Sequence, residues 1–414
     1  MVKRNSSSIC MFSVGEKYKP GNGIKMISAH TDSPCLKLKP ASKKSNEGFQ
    51  QVGVQLYGGG IWHTWFDRDL SMSGRVILKA EGHILEEKLV KFEKPLLNVP
   101  NICIHLDREY HKKFSPNLEK HVVPIIAAVE KHELIQGSKD SEHSSFVNQT
   151  SPVVVELLKK ELSLEDVNSI VDFELALYDH QKPCLGGAND EFIFSARLDN
   201  LLSCYISTYA LIDSSGSLKD EDKIRMAFLY DNEEVGSLSY QGADSRFTES
   251  IIRRVTEVLN LQQSERPSNE LFERTLASSF HISMDVAHYV HPNYPEKHED
   301  NMKPKLGGGP VQKINCNQRY ASSSRSLAVL KSVAESEQNG TNKVPLQTLA
   351  VRNDSPCGTT VGPILAAKLG IETVDMGVGC LSMHSIRETG YVDDVNHGLN
   401  LITKYFNNAL PVFK

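Results

Sequence analysis

IRMAFLYDNEEVG, residues 224–236, begins as an apolar run of strand composition and stops on two adjacent glutamates, Glu233 and Glu234. A carboxylate pair just past a strand end can divide two jobs, one side chain holding a metal while the other moves protons. Taken alone, such a pair is more often two solvated acids in a surface loop, because charged side chains are mostly exposed. The rest of the chain therefore has to supply the context.

Three other runs share this form: GIKMISAH up to His30, SFHISMD up to Asp285, and IETVDMGVG from Ile371. Each ends in polar residues, and helical patterns follow strand-like runs through the second half, as in an α/β sheet covered by helices. Leu201, Leu202, Tyr205 and Tyr209 lie at roughly helical spacing after Asp199, and Val395, Leu399, Ile402 and Phe406 do so near the C-terminus. Both patterns predict amphipathic helices. From Pro34 to Pro183 the texture changes to β-branched and aromatic pieces such as FQQVGVQLYGGGIWHTWF and GRVILKAEGHILEE, separated by glycine-rich turns. The expected architecture is an α/β domain of mixed sheet and flanking helices, residues 1–33 and 184–414, interrupted by a mostly-β domain at 34–183. Its tract Gly137–Ser145 is expected to be a mobile loop, and the polar tracts near Asp213 and Ala334 to be exposed connections.

Composition narrows the class. A chain of 414 residues exceeds a single core, which stops growing at roughly 250–300 residues, so two domains are expected. The formal charge of −5, with no basic cluster, argues against a nucleic-acid partner. No run reaches the roughly 18 apolar residues of a membrane span, and the first residues lack a signal-peptide apolar region. Eight scattered cysteines without a Cys-x-x-Cys pair read as reduced thiols of a cytoplasmic protein.

In open α/β sheets, ligands gather beyond the carboxyl ends of the strands. His30 closes one such strand, and Asp32 follows where a carboxylate could accept the imidazole's other N–H and fix its tautomer. Asp285 ends SFHISMD, His384 sits in LSMHSIRE after the last strand, and Asp199 lies in SARLDN at a helix start. His30, Asp199, Glu234, Asp285 and His384 make two imidazoles and three carboxylates, with Glu233 left over as a base. If one carboxylate bridges two metals, each metal gains one imidazole and one further carboxylate. Two divalent cations against three carboxylates leave about +1, which favours loss of a proton from a bridging water. Mixed donors suit zinc, and manganese or cobalt is compatible. Singly, each motif has an ordinary meaning: a capped turn at His30, an N-cap at Asp199, a turn at Asp285, a core histidine at His384.

These residues stand in longer blocks: SAHTDSPCLKLKP, YGGGIWHTWFDRDL, SARLDNLLS, YDNEEVGS, SMDVAHYVHPNYPEKHE, NQRYASS, NDSPCGTTVGPILA and MHSIRE. In content and order they resemble the aspartyl aminopeptidase family of dinuclear zinc metallopeptidases, from about Ile24 to Glu388. The resemblance implies His30 and His384 as imidazole ligands, Asp199 as the bridging carboxylate, and Glu234 and Asp285 as terminal ones, around two Zn2+ per subunit. It implies Glu233 as the general base, with Asp32 beside it in the catalytic set. Substrate contacts are implied at His105, His288, Lys313 and Tyr320. It further implies that the inserted domain is a dimerisation domain lending His105 to the neighbouring subunit within a dodecamer, and that the substrates are peptides with N-terminal Asp or Glu.

On the residues themselves, Lys313 offers a positive charge for an acidic side chain and equally suits a surface lysine. NDSPCGTTVGP precedes a helix pattern whose first N–H groups could hold a substrate oxygen, or it is a plain turn. The expected reaction is attack of a metal-bridging hydroxide, its proton taken by Glu233, on the first peptide bond. Relative to the family, the chain starts almost directly at a strand, which predicts an open apolar flank costing about 25 cal/mol per Å². That makes a non-catalytic subunit of a peptidase assembly one alternative, and a deacylase or carboxypeptidase with similar ligands another.

Overall fold

The structure, a computed structural model, describes residues 1–131, 143–263, 269–337, 342–411 and 413. The chain divides into two compact units, one of Met1–Ser33, Cys184–Met383 and Glu388–Lys414, the other of Pro34–Pro183 and His384–Arg387.

The first unit is built on an eight-stranded mixed sheet, in the order Val2–Arg4, Ser8–Val14, Ile224–Tyr230, Ile24–His30, Phe280–Met284, Glu372–Gly377, Val311–Ile314, Gln347–Ala350. Four strands in the middle, from Ile224–Tyr230 to Glu372–Gly377, run parallel. Parallel strands are covered on both faces, so Ile24–His30 and Ile224–Tyr230 are buried at every position. Alternation sends Ile24, Met26, Ile224, Met226 and Phe228 to one face, against helices Phe247–Gln263, Asn269–Ala277 and Val361–Leu369. Ile27, Ala227, Ile282, Val374 and Met376 go to the other, against Leu198–Asp213, Ser324–Glu335 and Val392–Asn407. At about 1.5–3 kcal/mol for each large apolar side chain buried, these two layers are the main source of stability.

Two expectations change. Of the stripe predicted after Asp199, only Leu202 faces the core; Leu201, Tyr205 and Tyr209 are 40–46% exposed. The inward face of this helix is made of Leu202, Ser203, Ile206, Ser207 and Ala210, because small residues let it lie close to the sheet, where Ser207 Oγ meets Met284 Sδ at 3.7 Å. The tract after Asp213 is not a featureless connection: Ser214–Asp220 is a 3-10 helix leading into the buried Glu221. Glu221 Oε2 accepts from Lys25 Nζ at 2.7 Å and from Arg225 Nε at 2.9 Å. Lys25 also donates to the Phe406 and Asn408 carbonyls, and Arg225 to Ser214 O and Ser217 Oγ. The two cations are paired in register near the starts of neighbouring strands, Lys25 opposite Arg225. The tract near Ala334 ends the helix Ser324–Glu335; its residues 338–341 lie outside the described residues.

The second unit carries a six-stranded antiparallel sheet in the order Leu85–Lys91, Leu70–Lys79, Ile170–Asp179, Cys35–Asn46, Phe49–Tyr57, Ile125–Ala128. One face is apolar: Leu36, Leu70, Met72, Val76, Phe173, Leu175 and Leu177 pack with Val154 and Leu158 of the helix Pro152–Leu162. The loop expected at Gly137–Ser145 falls largely outside the described residues; its end, Ser144–Ser145, caps and starts the short helix Ser145–Gln149.

Candidate metal centre

Register brings the candidates together. Tyr230 pairs with His30, and Ser283 with Ser28, so the strand carrying the glutamates, the strand of His30 and the strand leading to Asp285 end at one level. Asp199 comes to the same place from the start of its helix, where the backbone at Asp199 and Asn200 is not helical. That entry is tied down on three sides. Asp199 N–H donates to Glu388 Oε2 at 2.8 Å, Ser33 Oγ donates to Asp199 O at 2.6 Å, and Asn200 Nδ2 donates to Met284 O at 2.8 Å.

His30 is the hub. Its Nε2 lies 3.3 Å from Asp199 Oδ1 and 3.8 Å from both Asp285 Oδ1 and Glu233 Oε2. Its Nδ1 is 3.0 Å from the Asp32 carbonyl, which can only accept, so Nδ1 carries a proton and Nε2 is the nitrogen that could offer a lone pair to a metal. The Asp32 carboxylate, 3.5 Å from the same Nδ1, accepts the backbone N–H groups of Glu233 and Glu234, each at 3.1 Å. One aspartate thus orients both the imidazole and the glutamate pair.

The carboxylates around His30 favour positive charge at this place. Burial works against a charged His30, but Asp199, Asp285 and Asp32 outweigh it and hold its pKa well above the ordinary range. Glu233 is pushed up to about 8, first by burial and then by Asp285, Asp32 and Asp199, against the pull of His30. Ligand atoms of His30, Asp199 and Asp285, all three buried, lie within 4.8 Å of one another. One imidazole nitrogen and two carboxylate oxygens are donors that zinc takes, so this set fits a zinc ion, and binding at Nε2 displaces the imidazolium proton.

Lys313 is no surface lysine. It is buried in the strand Val311–Ile314, with Nζ 3.9 Å from Asp285 Oδ1 and 5.4 Å above the ring of the buried Tyr320. His288 is exposed in the short strand Ala287–His288, which pairs with Gly379–Cys380. The helix after NDSPCGTT is Val361–Leu369; Thr360 caps it by accepting Gly362 N–H at 3.2 Å, so that donor already has a partner within the chain. His384 and His105 both belong to the second unit. His384 has φ 67° and donates from Nδ1 to Gly59 O at 3.0 Å, so Nε2 is the ring nitrogen that could accept. Its short excursion starts and ends in the first unit, at the paired Leu381 and Thr389. His105 is exposed in the turn before the helix Arg108–Lys112.

Sequence reasoning missed the residues that hold the candidate ligands in place. Glu388 stands in the same block as His384 and Asn200 beside Asp199, and spacing gives no sign that they anchor Asp199. Gly377 is another. A methyl there would sit 1.8 Å from the backbone oxygen of Asp285. Gly377→Ala should therefore displace Asp285 and weaken zinc binding at least about tenfold, as losses of ligand-orienting contacts do, measured by competition with a chromogenic chelator.

A family model described as aminopeptidase I zinc metalloprotease (M18) matches residues 1–406. The aspartyl aminopeptidase of Aspergillus oryzae is 45% identical over 428 residues, covering 98% of this chain and 85% of the relative. Aspartyl aminopeptidase 4 of Saccharomyces cerevisiae is 46% identical over 423 residues, covering 99% and 85%. Among solved structures, the cryo-electron-microscopy structure of the Ape4 and Nbr1 complex superposes with a TM-score of 0.90 at 43% identity, covering 98% of this chain and 75% of that one. The S. cerevisiae mApe1 dodecamer gives 0.80 at 27% identity, covering 98% and 84%.

Proposed function

The chain belongs to the M18 family of aminopeptidase I zinc metalloproteases and is a metallo-aminopeptidase, and from that premise we propose that it releases an unblocked N-terminal aspartate or glutamate from peptides. The observation that carries the proposal is the buried cluster of His30, Asp199, Asp285 and Glu233 with Lys313 beside it. An amino-terminal acidic side chain needs a cation to meet it, and a buried lysine is worth more there than a solvated one. The relatives named aspartyl aminopeptidases, at close to half identity, point the same way.

We assign His30 and Asp285 to one zinc ion, His384 and Glu234 to a second, and Asp199 to both; manganese or cobalt would suit the same donors. Bound there, the pair supplies a Lewis acid for the scissile carbonyl and lowers the pKa of water. Glu233, which is not a ligand in this scheme, takes the proton of the attacking water and delivers it to the leaving amine. Asp32 keeps the His30 ring and the two glutamates in place for both steps. Lys313 receives the substrate's acidic side chain, Tyr320 packs beside that lysine, and His288 donates to the oxyanion as charge develops. We further propose that the second unit pairs subunits, that His105 of one subunit enters the neighbour's site, and that pairs assemble into a dodecamer like that of the yeast relative.

The test is hydrolysis of an aspartyl and a leucyl amide, with and without chelator, by wild type and Lys313→Met. The aspartyl amide should be cleaved at least about a hundredfold faster than the leucyl one, as sites built to hold a charged group discriminate, and chelator should abolish both. Lys313→Met should lower that preference at least about tenfold, since a hydrogen bond to a charged group is worth about 1.5–3 kcal/mol. A leucyl preference, or cleavage of an N-acyl amino acid instead, would overturn the proposal.

A further inference from the structure

The loop that carries Glu233 and Glu234 is poorly held by packing. Val235, Leu238 and Tyr240 point outward, 50%, 81% and 62% exposed. It is also tightly wound, with Asn232 at φ 66°, Gly236 at 99° and Ser237 at 62°, and non-glycine residues persist in that region only when surrounding structure constrains them. Within the loop, Ser237 N–H donates to Asn232 O at 2.7 Å, Gly236 N–H to Glu233 O at 2.9 Å, and Gln241 Nε2 to Asn232 Oδ1 at 2.7 Å.

Both ends of this loop meet one side chain. Ser8, buried at the start of the strand Ser8–Val14, accepts the Asp231 N–H at 2.8 Å and donates its hydroxyl proton to Gln241 O at 2.9 Å. The neighbouring hairpin adds further ties: Thr31 Oγ1 donates to Ser7 O at 2.9 Å, Tyr240 OH to Asn5 Oδ1 at 3.0 Å, and Arg4 Nη1 to Tyr240 O at 3.1 Å. Asp231 and Gln241 bracket the glutamates, and a hydroxyl that both donates and accepts closes the loop at its neck.

We propose that Ser8 is a positioning residue: through this two-ended clamp, the amino-terminal hairpin sets the place of Glu233 and Glu234. It touches neither substrate nor metal. Losing the hydroxyl leaves the half-buried Asp231 N–H and the buried Gln241 O without that partner and lets the loop relax. Misplacement by an ångström costs about a hundredfold in rate when a reacting group must be aligned. This inference rests on the roles given above to Glu233 and Glu234.

The test compares Ser8→Ala with Cys10→Ala in the full zinc-loaded chain. Cys10 lies two residues on in the same strand and is buried in the apolar cluster of Met226, Phe228 and Phe247, so its truncation reports loss of packing without loss of the clamp's hydroxyl. Ser8→Ala should lower kcat for the aspartyl amide about 10- to 100-fold with KM within about twofold, and weaken zinc binding to the metal-free chain several-fold. Cys10→Ala should lower the denaturation midpoint and keep kcat. A wild-type kcat and zinc affinity in Ser8→Ala, or an equal loss of kcat in Cys10→Ala, overturns the clamp. Should Ser8→Ala fail to fold, amide hydrogen exchange in the metal-free wild type decides instead. Asp231, whose N–H Ser8 accepts, should then exchange at least about tenfold more slowly than Leu238 and Ser239, and equal rates overturn the proposal. Full activity in Glu233→Gln would sink the underlying assignment of roles; an inactive Glu233→Gln beside an unaffected Ser8→Ala sinks the clamp alone.

Discussion

Glu233→Gln keeps its zinc and loses kcat by about 10²- to 10⁴-fold, the range for removal of a general base. The substitution conserves shape, and the N–H groups of residues 233 and 234 still donate to Asp32, so the loop stays where it is. The amide cannot accept a proton, which isolates proton transfer from ligation. KM should move little, because the proposed scheme gives the substrate side chain to Lys313 and not to residue 233. Steady-state kinetics on the aspartyl amide, with zinc measured by atomic emission on the same sample, checks both halves. Loss of metal alongside activity would make Glu233 a ligand; retained activity would remove it from the chemistry.

Glu221→Gln should destabilise the first unit by about 3–5 kcal/mol, the usual cost of deleting one partner of a buried ion pair. Glu221 answers two buried cations, Lys25 and Arg225, and an amide answers neither charge. Burial lowers the Lys25 pKa, with Glu221 opposing that shift. Because the folded-state pKa lies below the unfolded one, the unfolded chain binds more protons between the two values, and stability from this group rises with pH across that window. Removing Glu221 deepens the lowering. The deficit of the variant should therefore shrink as pH rises from 7 towards the roughly 10.4 of a free lysine, without vanishing, since Arg225 stays charged. Urea unfolding at several pH values measures this, and a deficit that grew with pH would show Lys25 to be outside the pair.

Much of this molecule is legible in its sequence where hydrophobic pattern and chain order are the signal. The strand Ile224–Tyr230 coincides with its apolar run, and His30, Glu233 and Asp285 meet because strand ends of a parallel sheet share one edge, where Asp199 joins them from a helix start. Pattern fails where size opposes burial. Leu201, Tyr205 and Tyr209 look like a core stripe, but close helix–sheet approach selects Ser203, Ser207 and Ala210 instead. It fails again where a polar residue is bought inward by partners distant in sequence. Lys25 gives no sign of its burial, since the far carbonyls of Phe406 and Asn408 cannot be seen from local composition, and Lys313 suits a surface lysine as well as a substrate contact until the approach of Asp285 is seen. Ser8 is hidden for the same reason, more than two hundred positions from the loop it grips.

Parallel neighbours have no hairpin turn to index one against the other, and a slip by one residue would carry each side chain about 3.3 Å along and turn it to the opposite face. The Lys25–Glu221–Arg225 knot sits on two such neighbours, five residues upstream of His30 and Tyr230. It acts as a locating pin. The alignment of the edge that carries His30 is thereby gauged from the far end of the sheet, and damage at that remote end should reach the candidate metal centre as well as the stability of the fold.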